Sequence, residues 1–166
     1  MLTEVETTAL RLNVGCGNKR FEGWVNVDLD PSADVVANVL QLPFEDGTAD
    51  EVMAIHVLEH LERWQAPVAL VEWLRVLKEG GQLVLELPDL VKCCHNIVAG
   101  LDDQEGINGL FGDPSTSNPL LMHRWGWTPA EVRHELRQAG FRKSKLAKPV
   151  FHGRRTHRDM RVEAWK

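Results

Sequence analysis

The chain alternates short apolar runs with longer segments that have the periodicity of helices. Five apolar runs are predicted to be strands: Arg11 to Val14, Val25 to Val27, Val35-Val36, Glu51 to Val57 and Gln82 to Leu87. The last run, QLVLELP, is mostly apolar, which is typical of a strand covered on both faces. Strands that alternate with helices predict an α/β fold built on a parallel sheet.

A helix is predicted between the fourth and fifth strands, where Val71, Leu74 and Leu77 recur at helical spacing. Gly80-Gly81 follows this pattern. Glycine commonly ends a helix because it adopts the left-handed conformation without strain. The sequence therefore predicts a helix that ends at the glycine pair.

The clearest helix signals lie in TPAEVRHELRQAGF. Thr128 is placed to cap the helix, Pro129 suits its first turn, and Glu131 completes a capping box. Gly140 is predicted to end the helix. The predicted inner face consists of Val132, Leu136 and Ala139.

The segments FRKSKLAKPVF and RDMRVEAWK are predicted to form a C-terminal antiparallel hairpin around HGRRTH. Arg154, Arg155 and Arg158 would then form a basic cluster near its tip. A solvated turn is one interpretation of this cluster, and contact with a phosphate-bearing acceptor is the other.

Residues 89–127 form a long segment whose second half is rich in Gly, Pro, Ser and Asn. Cys93-Cys94-His95 lacks metal-ligand spacing and is predicted to lie in a helix after the fifth strand. Long irregular segments in compact domains are commonly binding loops or lids, or else disordered. The segment is therefore interpreted as a lid-like insertion within a single domain, 1–166.

Composition narrows the classes of protein. Apolar residues make up 43% and charged residues 26% of the 166, and no apolar run approaches the roughly 20 residues of a membrane-spanning helix. The acidic N-terminus lacks the layout of a secretory signal, and three cysteines do not make a disulfide framework. We expect a cytoplasmic protein. The net charge of −5 argues against broad nucleic-acid binding, while a local basic patch stays open.

The stretch LNVGCGNKRFEGWVNVD contains a glycine turn followed by an acidic residue. Gly15 and Gly17 match a dinucleotide-binding turn, but Arg20 stands where the third glycine would be. Asp28 follows Gly17 by 11 positions instead of about 20, so the intervening helix is predicted to be missing or reduced. A pyrophosphate would lose its anion site there, whereas S-adenosylmethionine has no phosphate. The alternative is a tight turn without a ligand.

Several further segments resemble one family. LNVGCG…GWVNVD, NVLQLPFEDGTADEV, HVLEHL and HRWGWTPAEVRHELRQAGF together resemble the class I S-adenosylmethionine-dependent methyltransferases, in particular a small type 11-like group. The resemblance implies a Rossmann-like, doubly wound, mostly parallel seven-stranded sheet with an antiparallel C-terminal strand and a reduced first helix. It also implies an enzyme that transfers a methyl group from S-adenosylmethionine to an oxygen or nitrogen acceptor, a small molecule or saccharide.

The resemblance also implies the cofactor-binding residues. Asp28 would accept hydrogen bonds from the ribose diol, Leu29 would pack on the adenine, and Asn38 would face the adenine amine where the family has aspartate. His56 would lie near the sulfonium. The full implied set is Asn13, Gly15, Cys16, Gly17, Asp28, Leu29, Asn38, Val39, Leu40 and His56.

His56 to His60 match the zinc motif H-x-x-E-H. On a helix, the two histidines would share a face and bind a metal with a distant third ligand. However, DEVMAI is predicted to be a strand leading into His56, which would leave Glu59 and His60 to fix the following turn. A contact of His56 with cofactor or substrate is the other alternative, and no metal is implied.

His123 lies in MHRWGW, a polar and aromatic segment before the capped helix. Its ordinary pKa near neutrality makes it a candidate general base for an acceptor hydroxyl, with His56 as the second candidate. The alternatives are a substrate or lid contact and a packed loop with a hydrogen-bonded histidine. A non-catalytic cofactor-binding or partner-binding module of the same fold also stays open, and a segment 100–127 directed away from the cofactor would favour it.

Overall fold

Seven strands form one mixed sheet in the computed structural model, which describes residues 9–151 and 157–166. The strands are β1 (Arg11–Val14), β2 (Val25–Asp28), β3 (Val35–Val36), β4 (Ala49–Ile55), β5 (Leu77–Pro88), β6 (Lys143–Ala147) and β7 (Asp159–Trp165). Their order is β3-β2-β1-β4-β5-β7-β6. The first five pair in parallel, and β7 runs antiparallel to β5 and β6. The predicted fold class and C-terminal hairpin are confirmed.

Within the described residues, four helices accompany the sheet: α1 (Gln65–Val76), α2 (Leu90–Val98), α3 (Ile107–Phe111) and α4 (Pro129–Ala139). Short 3-10 turns occupy Leu58–His60 and Pro119–Leu121. Residues 15–24 form turns without a helix, as predicted for the shortened connection between β1 and β2. Among the described residues, no helix has the length and apolar character that crossing a membrane requires.

The predicted end of α1 is wrong. The helix stops at Val76, and Leu77 is already extended because it pairs with Ala49 at the start of β5. Gly80-Gly81 therefore lies within a strand. Val71, one of the residues with helical spacing, is exposed, and the buried face holds Ala66, Ala69, Leu70, Trp73 and Val76.

The predicted capping of α4 is confirmed. The Glu131 N–H donates to Thr128 Oγ1 (3.2 Å), and the Thr128 N–H donates back to the Glu131 carboxylate (3.1 Å). Val132 and Leu136 are fully buried, and Gly140 ends the helix with φ of 108°. The helix packs on α1, β6 and β7, and so closes the core.

The core of the domain lies between the central strands and these helices. Trp73 of α1 and Trp127, just before α4, are its largest fully buried side chains. Leu83, Leu85 and Leu87 of β5 are buried as well, as expected for a strand covered on both faces. This packed centre holds the carboxyl ends of β1, β2 and β4 in place, where the candidate site lies.

The predicted basic cluster is only partly within the described residues, since Arg154 and Arg155 lie outside them. Arg158 is 3% exposed, so its placement in a solvated turn is wrong. Its Nε donates to Asp159 Oδ1 (2.7 Å), and its Nη1 donates to the Gln104 carbonyl (3.1 Å). The pairing with Asp159 compensates the burial of this charge.

Candidate active site

The glycine turn after β1 packs closely against the turn after β4. Gly15 and Gly17 have φ of +65° and +50°, a conformation that side-chain-bearing residues rarely adopt. A Cβ on Gly15 would lie 2.6 Å from Val57 Cγ2, whereas a Cβ on Gly17 would meet nothing within 4 Å. Gly15 is therefore required for packing, and the backbone at Gly17 faces open space.

Two buried asparagines stabilise the connection between β1 and β2, which has no helix. Asn13 Nδ2 donates to the Lys19 carbonyl (2.8 Å) and to Asn26 Oδ1 (2.9 Å). Asn26 Oδ1 also accepts from the Phe21 N–H (3.0 Å), and its Nδ2 donates to Asp34 Oδ2 (2.7 Å). Asn13 thus fixes the shape of the turn. Asn26 was missed at the sequence level, although a polar residue within an apolar strand could have identified it.

Asp28 lies at the carboxyl end of β2 and contacts the glycine turn. The Gly17 N–H donates to Asp28 Oδ2 (2.7 Å), and the Asp30 N–H donates to Asp28 Oδ1 (3.0 Å). Each carboxylate oxygen has a second acceptor position. The shortened spacing of the sequence therefore brings a half-buried carboxylate against open backbone.

The segment after β3 presents the residues expected beside an adenine. Asn38 Oδ1 accepts from the Leu40 N–H (2.9 Å), and the Val39 carbonyl accepts from Trp73 Nε1 (3.0 Å). These bonds fix the backbone of the segment. Leu29, which follows β2, is 56% exposed and so presents an apolar surface to solvent.

The strand order of the sheet reverses between β1 and β4, and this position is its switch point. In open α/β sheets, ligands bind outside the carboxyl ends of the strands at this point. The Gly15–Gly17 turn follows β1, and Val57 follows β4. The glycine turn and the turn after β4 therefore lie where this architecture binds ligands, while Asp28 and Asn38 lie at the ends of the neighbouring strands β2 and β3.

His56 follows β4 and links two buried carboxylates. It is the only non-glycine residue with positive φ (54°) among the described residues. Its Nδ1 lies 2.7 Å from Glu59 Oε1, and its Nε2 lies 3.3 Å from Asp159 Oδ2. Burial lowers the pKa of His56, but the two carboxylates outweigh it and raise the pKa to about 9. The ring is therefore an imidazolium at neutral pH.

The carboxylates beside His56 are ionised despite their burial. Burial raises the pKa of Glu59, but the charge and hydrogen bond of His56 lower it below its ordinary value overall. Asp159 behaves in the same way, with Arg158 as a further stabilising charge. Glu59, His56, Asp159 and Arg158 therefore form a row of alternating charges within the fold.

The segment that contains His123 is attached to the turn after β4. The Arg124 N–H donates to the Glu59 carbonyl (2.7 Å), and His60 Nδ1 lies 3.2 Å from the Met122 carbonyl. His123 Nδ1 lies 3.0 Å from the Gly109 carbonyl, and its ring meets the His60 ring edge-on at 4.8 Å. Burial lowers the pKa of His123, so the ring is neutral at neutral pH.

A groove of about 280 Å³ lies beside His123. Its lining is Leu90, Leu110, Phe111, His123, Arg124, Trp125 and Gly126. The lining is mostly apolar, with His123 and Arg124 as its polar groups. A groove with few polar groups is typical of a small-molecule site.

The H-x-x-E-H motif does not form one helix. β4 ends at Ile55, and the 3-10 turn begins at Leu58, so the predicted strand and turn are confirmed. Asp159 was missed at the sequence level because it is distant in the chain and has no local pattern. The sequence predicted Cys93 in a helix, and it is buried in α2.

Comparison with known proteins supports the family resemblance. A family model described as a methyltransferase domain matches residues 12–85. An uncharacterized protein of Methanocaldococcus jannaschii is 45% identical over 51 residues, which are 31% of this chain and 21% of that protein. The chain thus matches about a fifth of the length of that relative.

Solved structures of methyltransferases share the whole fold. A S-adenosylmethionine-dependent methyltransferase from Methanosarcina mazei superposes with a TM-score of 0.68 at 15% identity, covering 98% of this chain and 94% of that one. A 1,6-didemethyltoxoflavin-N1-methyltransferase from Burkholderia thailandensis, solved with 1,6-didemethyltoxoflavin and S-adenosylhomocysteine, gives 0.63 at 16% identity over 95% and 71%.

The predicted resemblance is therefore confirmed: residues 12–85 match a methyltransferase domain, and the fold is that of solved S-adenosylmethionine-dependent methyltransferases. The same comparisons support S-adenosylmethionine as the cofactor. The site residues named from the sequence are predictions, and so is the acceptor.

Proposed function

We propose that this protein transfers a methyl group from S-adenosylmethionine to an oxygen or nitrogen of a small molecule or saccharide. The observation that supports this most is the hydrogen bond from the Gly17 N–H to Asp28 Oδ2 at the switch point of the sheet. It places a carboxylate beside open backbone, with no helix N-terminus between β1 and β2 to receive a phosphate.

The residues of the site fit a nucleoside. Asp28 would accept hydrogen bonds from the ribose hydroxyls, and the backbone of Gly15, Cys16 and Gly17 would line the methionine side. Leu29 presents apolar surface for one face of the adenine. Asn38 has a second acceptor position on Oδ1 for the adenine amine, although without the charge of an aspartate.

S-adenosylmethionine supplies a methyl group on a positively charged sulfonium. The neutral thioether that remains after transfer is a good leaving group. The main contribution of the protein would then be alignment of the acceptor and exclusion of water. Alignment can contribute on the order of 7–11 kcal/mol. The groove beside His123 is our candidate acceptor site, since it lies at the same edge of the sheet, where the parallel strands have their carboxyl ends.

His123 is the candidate base for a hydroxyl acceptor. The Gly109 carbonyl is an acceptor only, so Nδ1 has the proton and donates it there (3.0 Å), leaving the Nε2 lone pair for the hydroxyl proton. The acceptor oxygen would bond to the methyl carbon as the carbon–sulfur bond breaks. An amine acceptor would need no base beyond solvent.

His56 is better suited to positioning than to proton abstraction. An imidazolium between Glu59 and Asp159 has no free lone pair at neutral pH. We therefore assign it the role of fixing the turn after β4 beside the glycine turn. The contact of Arg124 with Glu59 directs the 122–125 segment towards this turn, which favours the enzyme over a binding module without an acceptor site.

The first test is calorimetric titration with S-adenosylhomocysteine. Asp28→Asn keeps an oxygen for the Gly17 N–H but removes the charge, and we expect about 5- to 150-fold weaker binding, or roughly 1–3 kcal/mol. Asp30→Asn is the matched control, because Asp30 lies in the same loop and is fully exposed. Equal affinity of the wild type and Asp28→Asn would remove Asp28 from the site.

The second test identifies transfer itself. Wild-type protein is incubated with methyl-labelled cofactor and pools of acceptors, and labelled products are counted. His123→Gln should bind S-adenosylhomocysteine normally and lose transfer to hydroxyls, whereas His134→Gln, an exposed histidine on α4, should retain it. Full transfer by His123→Gln would exclude the base.

A further inference from the structure

Three side chains that can bind metals converge after β4. Glu59, His60 and His123 each offer one ligand atom, and these atoms all lie within 4.8 Å of one another. The contact depends on tertiary structure, since His123 comes from the lid-like insertion. Its segment is bonded to the turn by the Arg124 N–H at the Glu59 carbonyl (2.7 Å).

The two imidazoles are oriented in the way that metal-binding histidines usually are. His60 Nδ1 lies 3.2 Å from the Met122 carbonyl, and His123 Nδ1 lies 3.0 Å from the Gly109 carbonyl. A carbonyl accepts only, so each Nδ1 holds the proton and each Nε2 has a lone pair. Metal-binding histidines commonly donate their other N–H to a backbone carbonyl in this manner.

Glu59 provides an independent observation. Its side chain is 2% exposed, and its Oε2 has no hydrogen-bond partner among the described residues. Its Oε1 is held by His56 Nδ1 at 2.7 Å, which fixes the orientation of the carboxylate. A buried carboxylate oxygen without a partner is costly, and a cation at this position would satisfy it.

We propose that Glu59, His60 and His123 form a binding site for a divalent transition-metal ion such as Zn²⁺. Two imidazoles and one carboxylate are a recognised ligand set for such ions, with further positions for water or substrate. Metal–ligand bonds of roughly 2.0–2.1 Å would place the ligand atoms about 3.3 Å apart. Binding therefore requires small side-chain rotations that draw the ligands together.

This site differs from the zinc interpretation of H-x-x-E-H. His56 is not a ligand here, because both of its ring nitrogens face carboxylates. Its Nδ1 binds Glu59 Oε1 and so fixes the carboxylate, and His123 provides the second imidazole of the site. The inference concerns ion binding and does not depend on methyl transfer. A bound ion would occupy the Nε2 lone pair of His123, so this histidine could no longer act as the base. The ion would then activate an acceptor hydroxyl by coordinating it.

The test is titration of chelator-treated protein with zinc chloride by calorimetry, without cofactor. We expect one ion per chain, and at least about tenfold weaker binding in His60→Gln and in His123→Gln. His134→Gln is the matched control and should bind as the wild type does. Cobalt chloride is a second probe, since its visible absorption reports nitrogen ligands and a low coordination number in the folded wild type.

The outcomes separate the two proposals. Loss of binding in both ligand variants, with a native circular dichroism spectrum and a cobalt absorption band in the wild type, supports the site. Absence of zinc binding by the wild type, or equal binding by the variants, overturns it. S-adenosylhomocysteine binding is measured on the same samples, so failure of the methyltransferase proposal would be seen independently.

Discussion

Replacement of His56 by glutamine should destabilise the protein strongly. The imidazolium lies 2.7 Å from Glu59 Oε1 and 3.3 Å from Asp159 Oδ2, and both carboxylates are buried. His56→Gln leaves two buried negative charges with Arg158 as the remaining cation of the row. Breaking a buried ion pair by removing one partner typically costs roughly 3–5 kcal/mol.

The raised pKa of His56 gives a second value for the free energy by which this histidine stabilises the fold. Folding raises this pKa from an ordinary value of 6.5 to about 9. At 1.36 kcal/mol for each pH unit, this difference corresponds to about 3 kcal/mol of stability. Because the pKa is raised on folding, this stabilisation is complete below pH 6.5 and is lost as the pH rises through about 9.

The assay is urea denaturation of chelator-treated wild type and His56→Gln between pH 6 and 10. At pH 6 we expect the free energy of unfolding to differ by about 3 kcal/mol, and this difference should shrink towards pH 10. The control His134→Gln, at an exposed position, should stay within about 0.5 kcal/mol of the wild type. A small difference at pH 6, or one that is constant with pH, would refute the charge row as the origin of stability.

Two smaller predictions concern the backbone. Gly15→Ala should cost about 2–4 kcal/mol in urea denaturation, because its Cβ would meet Val57 Cγ2 at 2.6 Å in a left-handed conformation. Gly80→Ala has the strain without the contact and should cost about 1–2 kcal/mol, so equal losses would contradict the packing argument. Thr128→Ala should cost roughly 0.5–2 kcal/mol by losing the cap of α4, and Thr128→Ser should restore it.

The contact between the glycine turn and Asp28 was predictable from the sequence because its geometry is local. β1 and β2 are neighbouring parallel strands, so the glycine turn and Asp28 must meet at one edge of the sheet. The number of residues between them then decides whether a helix fits. The hydrogen bond from Gly17 to Asp28 follows directly from that shortened spacing.

The end of α1 was not predictable in the same way. Val71, Leu74 and Leu77 have helical spacing, and nothing in the local sequence distinguishes the last of them as a strand residue. Leu77 becomes extended because it pairs with Ala49 across the sheet. Tertiary pairing therefore overrides the local helical spacing at Leu77.

The proposed acceptor side of the site depends on residues distant in sequence, and these residues meet at Glu59. Its Oε1 binds His56, which connects it to Asp159 at the start of β7, while its carbonyl accepts from the Arg124 N–H in the segment 89–127. A substitution in the row of alternating charges must therefore affect the segment that contains His123 as well as the stability of the protein. The sequence could indicate each of these histidines as chemically capable, but only the fold brings them to one carboxylate.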